Sequence, residues 1–406
     1  MQRYPLVIVG GGHAAAQLCA SLEEKGLANG VLMLSAEDLL PYQRPPLSKS
    51  YLKNAQEQAQ LIRPASWYEK AGVQCRLSET VIAIDRPAKT LQLADGESVA
   101  YERLVLATGT RARPWPMLQG APSNALSLRT AADASRLRDR WASSEHVVVL
   151  GGGFIGLEVA ATANALGKRV TVLETAGRLM GRSVSPALAQ HVHSVHQAQG
   201  IGFRLGSELQ GAKLAGGCVT HIGLTDAELP CDLLLLAIGA EPQTQLAQQA
   251  GLACDNGICV DAQLRTSDPD IFALGDVAAF PGVDGRQLRL ESIQNANDQA
   301  KVLASVLAGE SAVYQALPWF WSEQGHLRLQ MVGLLSPSSP TQMVRREGSQ
   351  AGSFSLFHYA DSQLVCVESV NAPLDHMMAR KLLDAQVSPD PAAVGDPAVL
   401  LKTLIP

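Results

Sequence analysis

Residues 6–15 read Leu-Val-Ile-Val-Gly-Gly-Gly-His-Ala-Ala, and this stretch decides the fold. The four apolar residues are typical of a strand that is buried on both faces of a parallel sheet. The glycines predict a tight turn, and Leu18 and Leu22 continue with the apolar spacing of a helix that should stop at Gly26. The next apolar run, 31–34, closes a strand–helix–strand unit of the kind that binds a dinucleotide.

A second copy of this pattern follows later in the chain. Residues 147–156 read Val-Val-Val-Leu-Gly-Gly-Gly-Phe-Ile-Gly, an alanine-rich helix continues to Leu166, and Gly167 ends it. The next strand, 170–173, leads directly into Glu174. One glycine loop is weak evidence for a nucleotide site, whereas two loops, each inside a strand–helix–strand unit, predict two dinucleotides on one chain.

Composition and charge limit the class of protein. The 406 residues correspond to two or three domains, and a net charge of −5 argues against binding to nucleic acid or to an anionic membrane. The longest strongly apolar run, 233–238, is far shorter than the roughly 20 residues of a membrane span, and residues 1–12 lack the apolar core of a signal peptide. Seven scattered cysteines do not form the pattern of a disulphide framework. We therefore expect a soluble, cytoplasmic enzyme.

Two clusters of reactive side chains are better explained by packing than by chemistry. Cys254 and Cys259 have the spacing of a dithiol, but the residues Asp-Asn-Gly between them predict a turn that leads into a strand. His191, His193 and His196 do not share one face of a helix, as three ligands of one metal ion would have to do. We expect neither a redox disulphide nor a metal site.

Each glycine loop offers a way to hold a phosphate. The first glycine allows the tight turn, the second lets the backbone approach a pyrophosphate, and a small third residue lets the helix pack on the strand. The helix N-terminus then presents N–H groups and a partial positive charge. The predicted positions are Gly10, Gly12 and Ala15 in the first loop, and Gly151, Gly153 and Gly156 in the second.

An acidic residue after the second strand of each unit is expected to bind the adenosine ribose. Glu174 lies 18 residues past Gly156, where a carboxylate accepts hydrogen bonds from both ribose hydroxyls. It predicts a preference for NADH, because the 2′-phosphate of NADPH would meet a like charge. Glu37 is the counterpart in the first unit, but it fits the spacing less well, and a glutamate in a surface loop explains it equally well.

Four further motifs carry a resemblance to a known family. The stretches 104–109 (Leu-Val-Leu-Ala-Thr-Gly) and 266–276 (Thr-Ser-Asp-Pro-Asp-Ile-Phe-Ala-Leu-Gly-Asp) resemble the FAD/NAD-linked reductases of glutathione-reductase type. The stretches 45–49 (Pro-Pro-Leu-Ser-Lys) and 318–322 (Pro-Trp-Phe-Trp-Ser) are similar to the ferredoxin reductases of Rieske oxygenase and bacterial P450 systems. The likeness runs essentially from end to end.

The resemblance implies an α/β fold with two Rossmann-like dinucleotide-binding domains and a C-terminal α+β domain. Residues 1–112 and 240–316 would form the FAD-binding domain, with an inserted NAD-binding domain at 113–239. The interface domain would occupy 317–406, where the sequence shows three short strand-like runs.

The resemblance also assigns cofactor-binding residues. Asp276 would hold the ribityl chain of FAD, and Arg129 would approach its phosphates. Family members often have an aspartate at the position of Ala36, so this chain departs from the pattern there, and Glu37 is the possible substitute. The other positions assigned to FAD are Gly10, Gly12, Ala14, Ala15, Arg44, Lys49, Val81, Thr108, Gly109 and Ile293, and those assigned to NADH are Gly151, Gly153, Ile155, Gly156, Glu174, Arg182 and Gly239.

Five residues are expected to serve electron transfer or partner docking. By resemblance, Lys49 lies beside the flavin N5 and pairs with Glu158, which keeps it from being an isolated buried charge. Trp319 is expected at the edge of the isoalloxazine as the electron exit, with packing in a domain interface as the alternative. Arg63 and Lys301 match positions on the flavin-side face, where a basic rim would steer an acidic ferredoxin, although ordinary surface charges explain them equally well.

These expectations lead to one function and two alternatives. Residues 42–51, the region that holds the redox cysteines of disulphide reductases, contain no cysteine, so thiol chemistry is not expected. FAD would take hydride from NADH and pass single electrons to a [2Fe-2S] ferredoxin that feeds a Rieske dioxygenase or a P450. The alternatives are a rubredoxin reductase and an NADH-sensing binding flavoprotein that resembles apoptosis-inducing factor.

Overall fold

The chain divides into two compact units in the computed structural model, which describes residues 1–282, 285–315, 317–335 and 341–405. The first unit comprises residues 1–43, 59–111 and 240–316, and the second comprises 44–58, 112–239 and 317–406. The short segment 44–58 therefore groups with the second unit, together with both the inserted stretch and the C-terminal stretch.

Strands and helices alternate through much of the described chain. The strands are β1 (Arg3–Val9), β2 (Val31–Leu34), β3 (Gln74–Arg76), β4 (Val81–Asp85), β5 (Thr90–Leu93), β6 (Ser98–Leu106), β7 (Thr110–Ala112), β8 (Ala125–Ser127), β9 (His146–Leu150), β10 (Arg169–Glu174), β11 (Gly202–Leu205), β12 (Leu209–Ala215), β13 (Cys218–Leu224), β14 (Glu228–Pro230), β15 (Leu233–Leu236), β16 (Ala240–Pro242), β17 (Ile258–Cys259), β18 (Ile271–Ala273), β19 (Ala278–Pro281), β20 (Gln287–Leu288), β21 (Trp319–Gln324), β22 (Leu327–Gly333), β23 (Gln342–Glu347), β24 (Phe354–Ala360) and β25 (Gln363–Val370). The α-helices are α1 (His13–Glu24), α2 (Ser50–Lys53), α3 (Ala65–Ala71), α4 (Ala131–Trp141), α5 (Phe154–Ala165), α6 (Pro186–Ala198), α7 (Gln245–Gln249), α8 (Ile293–Leu307), α9 (Pro373–Asp384) and α10 (Pro391–Gly395). Short 3₁₀ turns cover Pro45–Ser48, Gly275–Val277 and Leu401–Leu404.

The first unit is built on a sheet with the order β3-β2-β1-β6-β5-β4, and β18 also pairs with β6. Strand β1 is parallel to both β2 and β6, and its Val7 and Ile8 are fully buried, as predicted from their continuous apolar run. Helix α1 packs against α8 on this sheet. The connection from β1 to α1 therefore lies at the carboxyl ends of β1 and β6, where open parallel sheets bind ligands.

The second unit repeats this arrangement. Its parallel sheet has the order β11-β10-β9-β15-β8, and α5 follows β9 directly. Strands β12, β13 and β14 form a separate antiparallel sheet. Helix α4 begins with a capping box, in which the Thr130 side chain accepts from the backbone N–H of Asp133 and the Asp133 side chain accepts from the backbone N–H of Thr130.

The C-terminal stretch forms an antiparallel sheet of five strands, with the order β21-β22-β25-β24-β23. The prediction of three strands in this stretch was wrong, because its described residues form five. Polar residues at buried positions interrupt the apolar alternation that marks a strand: His358 and Glu368 are almost completely buried within β24 and β25. His358 Nε2 lies 3.0 Å from Glu368 Oε2, so this ring nitrogen and the carboxylate form a hydrogen bond inside the sheet.

No helix in the described part of the chain combines the length and the apolar character that crossing a membrane requires.

Candidate functional site

The first glycine loop is a cradle that a side chain would fill. Gly10 has a φ of +119°, and a Cβ atom there would lie 2.2 Å from the carbonyl oxygen of Ala107 at the end of the neighbouring strand. Gly12 is the N-cap of α1, no described side chain caps that helix, and a Cβ on Gly12 would meet nothing within 4 Å. The first N–H groups of α1 are therefore left uncapped beside an open position, which agrees with the predicted phosphate site.

The second glycine loop repeats this geometry with tighter packing. Gly151 has a φ of +110°, and a Cβ there would lie 2.3 Å from the carbonyl oxygen of Ala237. At the third position, a Cβ on Gly156 would come within 2.2 Å of the Gly151 carbonyl oxygen, whereas the first loop accommodates the methyl group of Ala15. Gly153 is the N-cap of α5 and is as open as Gly12.

Glu174 is fixed at the edge of the second loop by backbone groups. Its Oε2 accepts from the Gly152 N–H at 2.8 Å, and its Oε1 accepts from the Ala176 N–H at 2.8 Å. The carboxylate is half-buried at the end of β10. These two bonds fix the orientation of the carboxylate, and its part in binding a ribose stays a prediction.

Two arginines follow Glu174, and both lie in its own unit. The guanidinium of Arg178 donates to the carbonyl oxygens of Val184 and Gly181 at 2.7 and 2.6 Å, so it ties its own loop together. Arg182 is exposed, and its Nη2 lies 3.6 Å from the point that a Cβ on Gly239 would occupy. Arg182 and Gly239, both predicted for NADH, are therefore neighbours. Ile155, at the start of α5, is 48% exposed.

The residues assigned to FAD within the first unit lie on several elements, and one of these elements contacts the first turn of α1. Gly275 has a φ of +78°, and a Cβ there would lie 2.9 Å from the Cβ of Ala14, so the turn that carries Asp276 lies against the first turn of α1. Val81 is buried as the first residue of β4. Ile293 begins α8 and is half-buried.

Two of the remaining FAD positions, Thr108 and Gly109, are held by a residue that sequence reasoning missed. The side-chain Nε2 of Gln243 donates to the backbone carbonyl oxygen of Thr108 at 2.7 Å. The backbone carbonyl oxygen of Gln243 accepts from the Thr108 hydroxyl at 2.9 Å. Its backbone N–H donates to the Gly109 carbonyl oxygen at 2.9 Å. Gln243 thus fixes the turn after β6. Its position in a polar loop gave no signal in the sequence.

Glu37 is engaged by a tyrosine. The hydroxyl of Tyr42 donates to Glu37 Oε2 at 2.5 Å, and Tyr42 is 2% exposed. Ala36 beside it is exposed. The part of Glu37 in binding a ribose stays a prediction.

Lys49 and Glu158 form a partly buried ion pair inside the second unit. Lys49 Nζ lies 2.6 Å from Glu158 Oε2, and the Glu158 side chain is 6% exposed. The same oxygen accepts from Ser48 Oγ at 2.5 Å, and Lys49 also donates to the Pro45 carbonyl oxygen at 3.1 Å. The structure therefore joins the two residues that the sequence analysis paired.

The other oxygen of Glu158 is held from the C-terminal sheet. Oε1 accepts from Ser322 Oγ at 2.8 Å, and Ser322 in turn accepts from Gln324 Nε2 at 3.2 Å. Gln324 Oε1 lies 2.9 Å from His196 Nε2. Burial lowers the pKa of His196, so its ring is neutral and donates to Gln324. His196 is therefore part of a hydrogen-bonded chain.

Two arginines assigned to FAD also lie in the second unit. Arg44 Nη1 donates to the Arg129 carbonyl oxygen at 2.7 Å, and the Arg129 N–H donates to Asp133 Oδ2 at 3.0 Å. The structure brings these two predicted residues together.

Trp319 lies in an aromatic and cationic cluster of the C-terminal sheet. Its ring stacks on Trp321 with centroids 5.8 Å apart and an interplanar angle of 29°. The Arg380 guanidinium lies 4.2 Å from the Trp319 ring centroid, and His376 is 5.8 Å away, centroid to centroid. Trp319 is half-buried.

His376 predicts a pH-dependent loss of stability. Burial, reinforced by the positive charges of Arg380 and Arg328, lowers the pKa of His376 to about 4. The unfolded chain binds a proton at this residue below about pH 6.5, whereas the folded chain does not until about pH 4, so stability falls as the pH falls through this window. Between pH 7 and 4.5 the wild type should lose about 2 kcal/mol more unfolding free energy than His376→Gln. Urea denaturation at both pH values measures this difference, and equal losses would contradict it.

The predicted docking residues have different surroundings. The Arg63 guanidinium lies 4.8 Å from the ring centroid of Trp67, and Lys301 is exposed with its Nζ 3.6 Å from Asp298 Oδ1. Docking by either residue stays a prediction.

The described cysteines are free, and burial keeps several of them protonated. Burial raises the pKa of Cys19 and Cys231 to about 12 and that of Cys75 to about 11. Cys254 lies across an isolated bridge from Ile258, with a turn between them. A thiol with so high a pKa is a poor nucleophile at neutral pH.

Two strand–helix–strand units, each with an open glycine loop, define a dinucleotide-dependent oxidoreductase. The chain belongs to the pyridine nucleotide-disulphide oxidoreductase family, whose sequence description it matches over residues 4–300, and residues 319–405 match the description "Reductase C-terminal". The predicted fold class and the predicted class of enzyme are confirmed.

Relatives match the chain from end to end. It is 40% identical, over 100% of both chains, to the ferredoxin–NAD(+) reductase component of the anthranilate 1,2-dioxygenase system of Burkholderia cepacia. Among solved structures it is similar to the ferredoxin reductase for the CYP199A2 system from Rhodopseudomonas palustris, with a TM-score of 0.94, 40% identity and coverage of 99% and 100%. It is also similar to the covalent putidaredoxin reductase–putidaredoxin complex, with a TM-score of 0.93, 34% identity and coverage of 99% and 98%. The predicted resemblance is confirmed.

The first unit fits the FAD that this family binds. Two local features support this fit. The backbone at Gly10 leaves no room for a side chain, and the N-terminus of α1 has no side-chain cap. The second unit offers the same two features around Gly151 and α5 for a nicotinamide dinucleotide. Both predictions of dinucleotide binding therefore agree with the local geometry.

Proposed function

We propose that this protein is an FAD-dependent NADH:ferredoxin reductase that supplies electrons to an oxygenase. The observation that carries the proposal concerns residues 42–51, the region in which disulphide reductases carry their redox cysteines. This chain has no cysteine there, and its Lys49 instead forms an ion pair with Glu158. An enzyme of this family without a thiol in this region must pass the electrons of its flavin to an acceptor outside the protein. The relatives named for ferredoxin reduction support a ferredoxin as the acceptor.

Bound FAD would supply the conversion of a two-electron hydride donor into two single-electron transfers. The chain's own residues bind and orient. The N–H groups at the starts of α1 and α5 would hold the two pyrophosphates, and Glu174 would hold the adenosine ribose of NADH. Asp276 would hold the ribityl chain. The Lys49 ammonium, kept in place by Glu158 and the Pro45 carbonyl oxygen, would place a fixed positive charge at the reacting centre.

The experiment that tests the function uses the full-length holoprotein with NADH and a panel of purified [2Fe-2S] ferredoxins and rubredoxins, with cytochrome c as the final acceptor. We expect fast bleaching of the flavin by NADH and cytochrome c reduction that requires a ferredoxin. Reduction through rubredoxins alone would replace the proposal with a rubredoxin reductase. A long-lived charge-transfer complex without turnover would replace it with an NADH-sensing binding protein.

Trp319→Ala tests the proposed electron exit. The Trp319 ring is stacked on Trp321 and covered by Arg380, so its orientation is fixed, as an aromatic ring between donor and acceptor requires. We expect ferredoxin reduction to fall about 10-fold or more, while ferricyanide reduction and the melting temperature change little. Phe203→Ala, which removes a half-buried ring that pairs with His193 in the same unit, is the matched control. Unchanged ferredoxin reduction by a folded Trp319→Ala protein would end this role.

Docking of an acidic ferredoxin by a basic rim is proposed as well. Arg63 and Lys301 remain the candidate residues, and their support is position and charge alone. The rate of ferredoxin reduction should fall as salt rises from low to moderate concentration, and insensitivity to salt would count against a rim.

A cytoplasmic location is also proposed. It is supported by the seven cysteines, all of which are described and free, as expected in a reducing compartment.

A further inference from the structure

The Glu158 carboxylate is held by two separate segments of the second unit. Its Oε2 accepts from Lys49 Nζ at 2.6 Å and from Ser48 Oγ at 2.5 Å. Its Oε1 accepts from Ser322 Oγ at 2.8 Å and from the Glu323 N–H at 3.3 Å, and both of these donors belong to β21. The bond from Glu323 is longer than the usual N–H···O range of about 2.7–3.2 Å, so Ser322 is the main anchor of Oε1.

The residues behind Ser322 fix the direction of its hydroxyl. Ser322 and Gln324 are both buried, and Ser322 Oγ accepts from Gln324 Nε2 at 3.2 Å, so the hydroxyl hydrogen of Ser322 is left for Glu158. The other end of the Gln324 amide accepts from His196 Nε2 at 2.9 Å, which fixes the orientation of the amide. His196, Gln324 and Ser322 thus form one chain of donors that ends on the Glu158 carboxylate.

The same sheet contains a second buried serine that lacks this connection. Ser369 on β25 is as deeply buried as Ser322, and its Oγ lies 2.9 Å from Ser355 Oγ on the neighbouring strand. Among the described residues, the Ser369 side chain makes no hydrogen bond to Glu158. Ser369→Ala therefore removes a buried hydroxyl from the sheet, as Ser322→Ala does, but leaves the Glu158 carboxylate untouched.

We propose that Ser322 is a positioning residue for the reaction of the flavin with NADH: it fixes the Glu158 carboxylate, which in turn holds the Lys49 ammonium in place. The inference rests on the proposed function, which puts Lys49 beside the flavin. Without the Ser322 hydroxyl, Oε1 keeps only the long bond from the Glu323 N–H, so the carboxylate is free to turn about its Cγ–Cδ bond. The ammonium paired with it then moves as well, and a misplaced charge stabilises a reacting centre less.

The first test is the rate of flavin reduction in the full-length holoprotein, measured by stopped flow over a range of NADH concentrations. Ser322→Ala should lower the limiting rate about 10-fold and leave the Kd for NADH within about 2-fold, whereas Ser369→Ala should change neither. Ser322→Thr keeps the hydroxyl and should restore most of the rate. In a Lys49→Met protein, Ser322→Ala should cause no further loss, because its effect passes through the lysine. Ser322→Cys, with a weak donor of similar size, replaces Ser322→Ala if the alanine variant does not fold.

The second test does not depend on activity. Reductive methylation of the full-length protein, followed by mass spectrometry of its peptides, measures how fast Lys49 reacts relative to the exposed Lys301. The Lys49 side chain is 20% exposed, so the reagent can reach it. We expect this relative rate to rise about 3-fold or more in Ser322→Ala, because the ammonium leaves its carboxylate more often, and to stay unchanged in Ser369→Ala.

The outcomes separate the two proposals. If NADH does not reduce the flavin of the wild-type holoprotein, the proposed function fails. If it does, and a folded Ser322→Ala protein is reduced as fast as the wild type, the inference is overturned while the function stands. Ser322 would also have a structural role only if Ser322→Ala slowed the Lys49→Met protein as strongly as it slows the wild type. Unchanged methylation of Lys49 in Ser322→Ala would overturn the inference as well.

Discussion

The protein should use NADH about 30- to 1000-fold better than NADPH, measured as kcat/KM with ferricyanide as the acceptor. The reason is the Glu174 carboxylate, which two backbone N–H groups hold at the edge of the second loop. A 2′-phosphate with a charge of about −2 would meet this carboxylate in a half-buried site, where like charges repel strongly. The structure strengthens the expectation, because Arg178 donates to two carbonyl oxygens of its own loop.

Glu174→Ala should reduce this discrimination to about 3-fold or less, mainly by improving the use of NADPH. Asp226→Ala is the matched control, since it removes a different, exposed carboxylate of the same unit. A Glu174→Ala protein that still prefers NADH as strongly as the wild type would show that another group selects the nucleotide, and the exposed Arg182 would then be examined next.

The second large effect is expected from Lys49→Met. This change leaves Glu158 buried without its cation, so the free energy of unfolding should fall by about 3 kcal/mol. If Lys49 lies beside the flavin as proposed, the rate of flavin reduction by NADH in a stopped-flow experiment should fall about 100-fold, because the proposed fixed charge is lost.

The double variant Lys49→Met/Glu158→Gln separates stability from rate. It removes both charges, and its uncharged amide still accepts from Ser322, so most of the lost unfolding free energy should return. The slow flavin reduction should persist. If the double variant recovers the rate as well, the lysine has a structural role only.

Much of this architecture could be predicted because backbone requirements leave a trace in the sequence. Gly10 and Gly151 must be glycines, since a carbonyl oxygen occupies the space of a Cβ, and the apolar runs before them are buried on both faces. The pairing of Lys49 with Glu158, by contrast, came from a resemblance. Nothing in their spacing indicates an ion pair between residues 109 positions apart.

The residues that sequence reasoning missed are polar groups that complete a hydrogen-bonded site. Ser322 and Gln324 alternate along β21 on its buried side. Such positions are detectable as polar interruptions of an apolar pattern. Their partners are not, because the contact between Ser322 and Glu158 depends on how distant segments fold together. The same limit led to the wrong strand number in the C-terminal sheet.

The buried Glu368 has a consequence for protein engineering. It accepts from the Ser185 backbone N–H at 2.7 Å and from the Ser185 hydroxyl at 2.5 Å, so one carboxylate of the C-terminal sheet holds the residue that caps α6. A chimaera that takes its C-terminal stretch from a homologue would have to contain both the Glu368 carboxylate and the Ser185 that donates to it. Recombination sites placed between them would break a desolvated contact, and libraries built on such crossovers should yield mostly insoluble or unstable progeny.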